Sequence, residues 1–547
     1  MKRPAYLVVA AFTVLSAAVA GAQSDEPGQP KHEGVTYQRI LQAAEDPSNW
    51  LTYSGQYNSQ RFSRLAQIND QNVHQLRVKW VRQFDISELF ETTPLVVDGM
   101  MYLTLPESEV WSLDAKTGLP YWKYEHELPP KLSVCCGKIN RGVAILGETL
   151  YLGTLDAQLV ALDSRSGNAR WTINVGDPKQ GHSITGAPLV VKDMVITGIA
   201  GGEYGIRGFL DAYDAGTGKH RWRTHTIPGP GEKGHDTWQG DSWKVGGSPT
   251  WVTGSFDPEL NLIYWGVGNP GPDWNGEVRK GDNLYSDCVL AVDADSGEIK
   301  WHFQFTPHDV HDWDACQVPV LVDADYQGIP RKLLLWGNRN AFYYVLDRES
   351  GEFLQARAFA KQTWAKEIDK TGRPIRIPGT SPSKEGTLVY PDVSGAANWW
   401  SPTYSPDTHL FYLMTFDGAA TYYLGEDPVH RPGTPFTGGI GTFHDFDEFL
   451  NPDYVSAVRA LNPTTGERVW EYRVQPKSMS GLVSTAGNLV FGGTANGNFF
   501  ALDARSGKEL WRLDLGGRVH AAPMTFMVDG KQYVSIAAGS ALFTFGL

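Results

Sequence analysis

The sequence has little cysteine and little positive charge. It contains four cysteines in 547 residues and no Cys-x-x-Cys-His motif, which argues against a covalently attached c-type haem. The 48 Lys and Arg are outnumbered by 61 Asp and Glu, and the formal net charge is −13. Such a chain offers no basic footprint for nucleic acid. No internal apolar run approaches the roughly 18 residues of a membrane helix, so no membrane span is expected after the amino terminus.

The amino terminus resembles an export signal. Lys2 and Arg3 precede an apolar run over residues 5–19, and the small residues Ala20-Gly21-Ala22 follow. This order predicts a signal peptide over residues 1–22 that is cleaved after Ala22, although an uncleaved anchor is an alternative. Export would place the mature protein in the periplasm, an oxidising compartment where disulfides persist.

One short pattern recurs along most of the chain. In residues 501–511, ALDARSGKELW, an Asp is followed by Gly four residues later and Trp eight residues later. The Asp can cap a tight turn, the Gly can adopt positive φ, and the Trp is a large apolar anchor. The seven copies carry Asp114, Gly118 and Trp122; Asp163, Gly167 and Trp171; Asp214, Gly218 and Trp222; Asp293, Gly297 and Trp301; Asp347, Gly351 and Gln355; Asn462, Gly466 and Trp470; and Asp503, Gly507 and Trp511.

The repeat predicts an all-β fold. A period of about 40 to 50 residues is typical of propellers and solenoids, in which each unit buries its faces against its neighbours. Seven units are complete, and three strands over residues 521–547 lack a partner. A lone strand around Trp80 can complete their sheet. We therefore predict an eight-bladed β-propeller over residues 76–547, closed by that strand, after an extension over residues 23–75 with a short helix near residues 38–45.

The cysteines fall into an adjacent pair and two separated residues. A disulfide between the neighbours Cys135 and Cys136 would be strained and rare, so its presence would suggest a function beyond stability. Two buried thiols are the alternative. Cys288 and Cys316 lie 28 residues apart, and the sequence leaves open whether they are bridged or free.

Three polar motifs interrupt the repeat. Glu203 lies in IAGGEYGIRG, Asn269 lies in GVGNP, and residues 305–314, FTPHDVHDWD, contain three Asp and two His. Carboxylate and amide oxygens brought together from distant units suit a hard cation such as Ca²⁺. For each motif alone, capping of a turn is the simpler interpretation, but the propeller makes convergence the better hypothesis.

These motifs, in this order, resemble those of the quinoprotein alcohol dehydrogenases that use pyrroloquinoline quinone (PQQ). The resemblance extends from Trp50 to the carboxy terminus. It implies that Cys135 and Cys136 form a disulfide over one face of PQQ and that Trp251 covers the other face. It also assigns polar contacts with PQQ to Glu91, Arg141, Thr185, Arg339 and Asn398.

The same resemblance implies a metal site and a catalytic base. Glu203, Asn269 and Asp312 correspond to metal ligands, and Asp312 is also the general base. Asp314 matches an additional carboxylate of the lanthanide-dependent branch, and the added charge favours a trivalent ion over Ca²⁺. The alternative is a Ca²⁺ enzyme in which Asp314 faces solvent. Departures from the family occur at Ala200, Pro249 and Met479.

The implied function is periplasmic oxidation of an alcohol to the aldehyde by hydride transfer to PQQ. Because the chain has no haem motif, a soluble cytochrome c is the expected electron acceptor. The same scaffold could instead act on sugars or polyols, and a non-catalytic binding propeller is the alternative from a different class. The sequence leaves a homodimer open.

Overall fold

A computed structural model of the chain describes residue 29 and residues 34–443 and 455–547. The predicted signal peptide lies outside this part, as do residues 444–454. No helix within it is long and apolar enough to span a membrane. The predicted short helix is an α-helix, α1 (Tyr37–Leu41), which a 3₁₀ turn follows at once. The 3₁₀ turns are Ala43–Glu45, Val73–Gln75, Pro106–Ser108, Pro178–Gln180, Gly202–Tyr204, His235–Thr237, Ser242–Val245 and Gly276–Val278.

Strands make up most of the regular structure in the described residues. The first eighteen are β1 (Phe62–Ser63), β2 (Arg77–Gln83), β3 (Leu95–Val97), β4 (Met100–Leu105), β5 (Glu109–Asp114), β6 (Pro120–Tyr124), β7 (Ala144–Leu146), β8 (Thr149–Gly153), β9 (Gln158–Asp163), β10 (Ala169–Asn174), β11 (Leu189–Val191), β12 (Met194–Gly198), β13 (Phe209–Asp214), β14 (His220–His225), β15 (Ser255–Asp257), β16 (Leu262–Gly266), β17 (Cys288–Asp293) and β18 (Ile299–Gln304). The others are β19 (Val320–Tyr326), β20 (Ile329–Gly337), β21 (Phe342–Asp347), β22 (Phe353–Ala358), β23 (Ala365–Ile368), β24 (Pro374–Arg376), β25 (Thr387–Val389), β26 (Thr403–Ser405), β27 (Leu410–Phe416), β28 (Ala420–Leu424), β29 (Gly439–Phe443), β30 (Ser456–Leu461), β31 (Arg468–Val474), β32 (Val483–Thr485), β33 (Leu489–Gly493), β34 (Asn498–Asp503), β35 (Glu509–Asp514), β36 (Met524–Val528), β37 (Lys531–Ala538) and β38 (Ala541–Gly546).

These strands pair mainly into antiparallel sheets of four. Five of the sheets take four consecutive strands, as in β3-β4-β5-β6 and β15-β16-β17-β18, whereas β26-β27-β30-β31 leaves out two strands and β1 joins β32 in a sheet of five. The second strands of three sheets, β4, β8 and β16, are fully buried, whereas β10, the last strand of its sheet, is mostly exposed. The predicted all-β propeller architecture is therefore confirmed. Outside the repeat, β25, β28 and β29 form a separate three-stranded sheet and β23 pairs with β24.

The turn of each repeat packs on the tryptophan of the preceding sheet. Asp503 Oδ1 accepts hydrogen bonds from the backbone N–H groups of Arg505 and Ser506, at 3.1 and 2.8 Å. Gly507 has φ +71°, and a Cβ built on it would lie 2.5 Å from Trp470 Cε3. Trp470 Nε1 also donates to the carbonyl of Ala504, at 3.1 Å. The same packing joins Gly118 to Trp80, Gly167 to Trp122, Gly218 to Trp171, Gly297 to Trp222 and Gly351 to Trp301.

This packing gives a first testable prediction. Gly507→Ala adds a methyl group where the Trp470 ring lies 2.5 Å away, whereas Gly530 has nearly the same φ, +70°, and open space around it. We expect Gly507→Ala to lower the free energy of unfolding by about 1–3 kcal/mol more than Gly530→Ala does, because the clash adds to the shared backbone strain. Thermal and denaturant unfolding of the two variants measures this difference. Equal losses would show that the Trp–Gly contact does not limit the spacing of the sheets.

The lone strand near the amino terminus pairs with the last strand of the chain. β2 runs antiparallel to β38, with Trp80 opposite Thr544, in the sheet β2-β38-β37-β36. Trp511, the anchor of the last repeat, packs against Phe545 of this sheet with ring centroids 5.5 Å apart. Strands from the two ends of the propeller segment therefore share one sheet.

Candidate active site

The predicted site residues lie on loops that belong to several different sheets. The two cysteines lie between β6 and β7, Glu203 in the 3₁₀ turn between β12 and β13, and Asn269 after β16. Asp312 and Asp314 lie between β18 and β19. The regular sheets thus hold residues that are far apart in sequence, while the loops present their side chains.

Asp314 joins its own loop to three others, which carry Asn269, Trp251 and Arg339. Its Oδ1 accepts a hydrogen bond from the backbone N–H of Asn269, at 2.7 Å, and its Oδ2 accepts one from Trp251 Nε1, at 3.2 Å. Arg339 Nη2 forms an ion pair with Oδ2 at 3.0 Å. The residue is only 4% exposed, so the alternative of a solvent-facing Asp314 is wrong.

Gly268 makes room for this junction. A Cβ on Gly268 would lie 2.2 Å from Asp314 Oδ1 and 2.8 Å from Pro249 Cγ. The same proline approaches Gly202, where an added Cβ would lie 2.9 Å from Pro249 Cδ. Pro249, one of the departures from the family, therefore packs directly beneath the residues that precede Glu203 and Asn269.

Arg339 links Asp314 to the predicted base and to Asn398. Its Nη1 donates to the Asp312 carbonyl at 2.6 Å and lies 3.4 Å from Asp312 Oδ1, and its Nη2 donates to Asn398 Oδ1 at 3.2 Å. Asp312 itself has φ +62°, a conformation in which a non-glycine residue is strained. The guanidinium therefore fixes both the backbone and the carboxylate of Asp312.

Burial of several acids raises their pKa values. The pKa of Asp312 is well above its ordinary value because of desolvation, with Arg339 opposing the shift and Asp314 adding to it. Desolvation likewise raises the pKa of Glu203, and the Asp314 carboxylate contributes further. The pKa of Asp273 is raised by desolvation and then by the Glu203 carboxylate. A cation among these groups would favour their ionised forms.

A second group of predicted residues surrounds Trp251. Arg141 forms a buried ion pair with Glu91 at 2.8 Å, and its guanidinium lies over the rings of Trp251 and Trp399, 5.0 and 4.7 Å from their centroids. Burial raises the pKa of Glu91 to about 7, although Arg141 opposes the shift. Thr185 Oγ1 donates to the Trp251 carbonyl at 3.4 Å.

The cysteines differ in their pairing. Cys135 and Cys136 are placed as a disulfide, and their Sγ atoms lie within 4.8 Å of a carboxylate oxygen of Glu203. Cys288 and Cys316 are both buried and free, so the alternative of a bridge between them is wrong. Cys316 Sγ donates instead to Asn398 Oδ1, at 3.6 Å.

The predicted metal ligands are neighbours, but their side chains do not all converge. In the part of the chain that the structure describes, one group of three His, Cys, Asp or Glu ligand atoms lies within 4.8 Å, and it consists of Cys135, Cys136 and Glu203. The carboxylates of Asp312 and Asp314 both face Arg339.

The inserted segment after β28 packs on the loops that carry these ligands. Phe436 N–H donates to the Glu203 carbonyl at 2.6 Å, and His430 Nε2 lies 3.1 Å from the Tyr204 carbonyl. Trp274 N–H donates to the Thr437 carbonyl at 3.0 Å. Contacts between segments more than 150 residues apart leave no pattern in a single sequence, so this covering of the site was not predicted.

Two further charged residues of the site, Asp273 and Arg279, are not marked by the motifs of the sequence. Asp273 accepts a hydrogen bond from Asn269 Nδ2 at 3.0 Å, and Arg279 is wholly buried beneath the same loop. The position of Asp273, four residues after Asn269 in GNPGPD, is the signal that could have indicated it. Nothing in the sequence distinguishes Arg279 from other arginines.

The residues present fit the cofactor and the ion that the family resemblance implies. Arg141 Nε and Nη1 are buried and have no hydrogen-bond partner, so they can receive a carboxylate of PQQ beside the flat ring of Trp251. For a hard cation the chain offers the carboxylates of Glu203, Asp312 and Asp314 and the amide of Asn269, all oxygen donors.

Comparisons with known proteins agree with this geometry. Residues 50–358 match the family model described as glucose/ethanol/alcohol dehydrogenase, beta-propeller domain, under the name PQQ. Residues 455–545 match the model of the outer membrane protein assembly factor BamB. The second match contains none of the predicted site residues.

The chain is similar to whole proteins of the first kind. It is 40% identical to the quinohemoprotein alcohol dehydrogenase ADH IIB of Pseudomonas putida over 92% of this chain and 75% of that protein. It is 39% identical to the quinoprotein alcohol dehydrogenase PedH of Pseudomonas putida, over 93% and 89%. A solved europium-containing methanol dehydrogenase superposes with a TM-score of 0.88 at 33% identity, over 93% of this chain and 100% of that one. The chain belongs to the PQQ-dependent quinoprotein alcohol dehydrogenase family.

Proposed function

We propose that this protein oxidises an alcohol to the aldehyde in the periplasm, with PQQ and a lanthanide or Ca²⁺ ion in the site built around Asp314. The observation that carries the proposal is the junction at Asp314, which contacts Trp251, Asn269 and Arg339 at once. A propeller that only binds a partner does not require a buried acid in contact with an indole ring, a backbone amide and a buried guanidinium.

The cofactor would lie between Trp251 and the disulfide of Cys135 and Cys136. When bound, PQQ supplies a two-electron acceptor for the hydride of the alcohol carbon. Arg141, which Glu91 and two indole rings hold in place, would bind a carboxylate of the cofactor through its unpartnered Nε and Nη1. Thr185 and Asn398 would supply polar contacts at its edge.

Glu203, Asn269, Asp312 and Asp314 would hold the ion, which supplies Lewis-acid polarisation. The carboxylate of Asp314 adds a third negative charge to those of Glu203 and Asp312. This added charge favours a trivalent ion, because the charge of the ligands tunes affinity for hard cations. The likeness to a europium-containing enzyme supports a lanthanide over Ca²⁺.

Asp312 would accept the proton of the alcohol hydroxyl. Arg339 holds the Asp312 carbonyl at 2.6 Å, so the carboxylate starts from a fixed backbone position. Burial and the neighbouring Asp314 raise the pKa of the Asp312 carboxyl in the metal-free protein, whereas a bound ion would favour its ionised form, which is the form that can accept a proton. Arg339 would also stabilise negative charge that develops on the reacting oxygen.

Other features of the protein belong to the same proposal. The seven four-stranded sheets and the five-stranded sheet β1-β32-β33-β34-β35 would be the eight blades of one ring over residues 76–547. The Trp–Gly packing and the pairing of β2 with β38 support this proposal. Residues 1–22 would be a cleaved signal and residues 23–75 an extension. A soluble cytochrome c would accept the electrons, and a homodimer is a further hypothesis.

Two other functions would use the same fold. Oxidation of sugars or polyols would need the same chemistry in a wider pocket. A binding propeller is favoured only by the match to BamB over residues 455–545, and that segment carries no proposed site residue. The site therefore favours an enzyme.

A substrate panel tests the proposed function. The metal-free protein is reconstituted with PQQ and either La³⁺ or Ca²⁺, and dye reduction is measured with primary alcohols, aldehydes, sugars and polyols. We expect the highest kcat/KM with a primary alcohol. Activity with sugars alone would favour the second function, and no activity with any of these substrates would contradict the enzyme assignment.

A further inference from the structure

Asn269 presents its amide in one orientation. Its Nδ2 donates a hydrogen bond to Asp273 Oδ1 at 3.0 Å. The amide nitrogen donates and the carboxyl oxygen accepts in this contact, so the nitrogen side of the amide faces Asp273. The Asn269 carbonyl oxygen then points to the opposite side, and within the described ranges no donor reaches it.

Asp273 is itself firmly held. It is 1% exposed, and its backbone carbonyl accepts a hydrogen bond from Arg279 Nη2 at 3.2 Å. Arg279 Nε donates to the neighbouring Pro272 carbonyl at 3.1 Å, and Arg279 Nη1 donates to Asn283 Oδ1 at 2.9 Å. The buried guanidinium therefore anchors the backbone beneath Asp273 without using its carboxylate.

The second carboxylate oxygen of Asp273 points to a role toward the metal site. Asp273 Oδ2 is buried and has no hydrogen-bond partner. A buried carboxylate with a free oxygen costs stability, and a residue needed only to hold this loop could be a neutral amide. The loop instead retains a carboxyl group, whose one hydrogen bond goes to a predicted metal ligand.

We propose that Asp273 is a positioning residue for the metal site, which orients the Asn269 amide so that its carbonyl oxygen faces the ion. This inference rests on the proposed function, because it presupposes that Asn269 is a ligand. Residues that orient metal ligands typically change affinity by about 10–100-fold when they are replaced.

Asp273→Asn is the most informative substitution. It preserves the shape of the side chain, but the new amide can donate to Asn269 Oδ1 as readily as it accepts from Nδ2. The orientation of Asn269 is then no longer dictated. Asp273→Ala removes the acceptor altogether and serves as a second variant. The matched control is Asp427→Asn, because Asp427 Oδ1 accepts a hydrogen bond from Asn275 Nδ2 at 3.0 Å on the same loop but does not contact Asn269.

The test measures Eu³⁺ binding to the PQQ-loaded protein by competition with a chelator. Eu³⁺ luminescence lifetimes in H₂O and D₂O count the coordinated waters, and thermal unfolding is followed with and without the ion. We expect Asp273→Asn to weaken Eu³⁺ binding by about tenfold and to add one coordinated water, while the metal-free unfolding midpoint does not fall below the wild-type value, because the amide removes a buried carboxyl. Asp427→Asn should bind Eu³⁺ as the wild type does.

The outcomes separate this inference from the proposed function. The positioning role would be overturned if both Asp273 variants kept the wild-type Eu³⁺ affinity and the wild-type number of coordinated waters. It would also be overturned if the only change were a lower thermal unfolding midpoint of the metal-free protein. If the wild-type protein shows no saturable Eu³⁺ or Ca²⁺ binding, the metal site of the proposed function fails instead.

Discussion

Asp312→Asn is expected to lower kcat for alcohol oxidation by about 10²–10⁴-fold, the usual contribution of a general base. Asn keeps an oxygen donor and nearly the same shape, but its amide cannot accept the alcohol proton. Arg339 should still bind the backbone carbonyl of residue 312, which it contacts at 2.6 Å, so the loop should keep its conformation. The change therefore removes the proton acceptor while disturbing the site little.

Steady-state kinetics with La³⁺ and PQQ at saturation measure this effect. Metal and PQQ contents are determined on the same samples, since Asp312 is also a proposed metal ligand. Solvent pH is varied, because the wild-type rate should rise with the ionisation of a base and the variant should lose that dependence. A variant that keeps more than a tenth of wild-type kcat at full occupancy would show that another group takes the proton.

The second large effect is expected at Asp314. Asp314→Ala should reduce La³⁺-supported activity by about tenfold or more, while Ca²⁺-supported activity changes less, because charge count matters most for a trivalent ion. The substitution also removes the acceptor for Asn269 N–H and Trp251 Nε1, which lie 2.7 and 3.2 Å away. Some loss with both ions therefore follows from packing alone.

Asp314→Asn removes the charge and keeps part of the packing. The amide keeps an oxygen for the Asn269 N–H, but its nitrogen replaces the oxygen that accepts from Trp251 Nε1 and pairs with Arg339. The ratio of La³⁺ to Ca²⁺ activity should fall in both variants, and overall activity should fall further in Asp314→Ala. A ratio that both substitutions leave untouched would remove the reason to prefer a lanthanide.

The repeat made much of the fold predictable. Asp503, Gly507 and Trp470 act through local rules: a carboxylate caps a turn, a glycine takes positive φ, and an indole packs on it. These rules depend on spacing along the chain, so a single sequence carries them. The copy that lacks the Trp follows the same logic. Gln355 stands at the Trp position, and the next turn glycine, Gly466, packs on Arg357 and Tyr343 instead of an indole ring.

The site was predictable only in part. Its residue types were indicated by motifs and by the family resemblance, but Asp273 and Arg279 act through hydrogen bonds that depend on the folded loop. The cover formed by residues 425–443 depends on contacts with Glu203 and Tyr204, more than 200 positions earlier. The direction of Asp312 and Asp314 toward Arg339 is likewise a tertiary property, which spacing along the chain does not encode.

The central claim is that Glu203, Asn269, Asp312 and Asp314 hold one ion beside PQQ. Anomalous X-ray diffraction from crystals of the protein loaded with PQQ and La³⁺ tests it most directly. We predict one strong La³⁺ peak bound by oxygens of all four side chains, with Asp314 a direct ligand. A peak that is absent, or is coordinated without Glu203 and Asp314, would contradict the account.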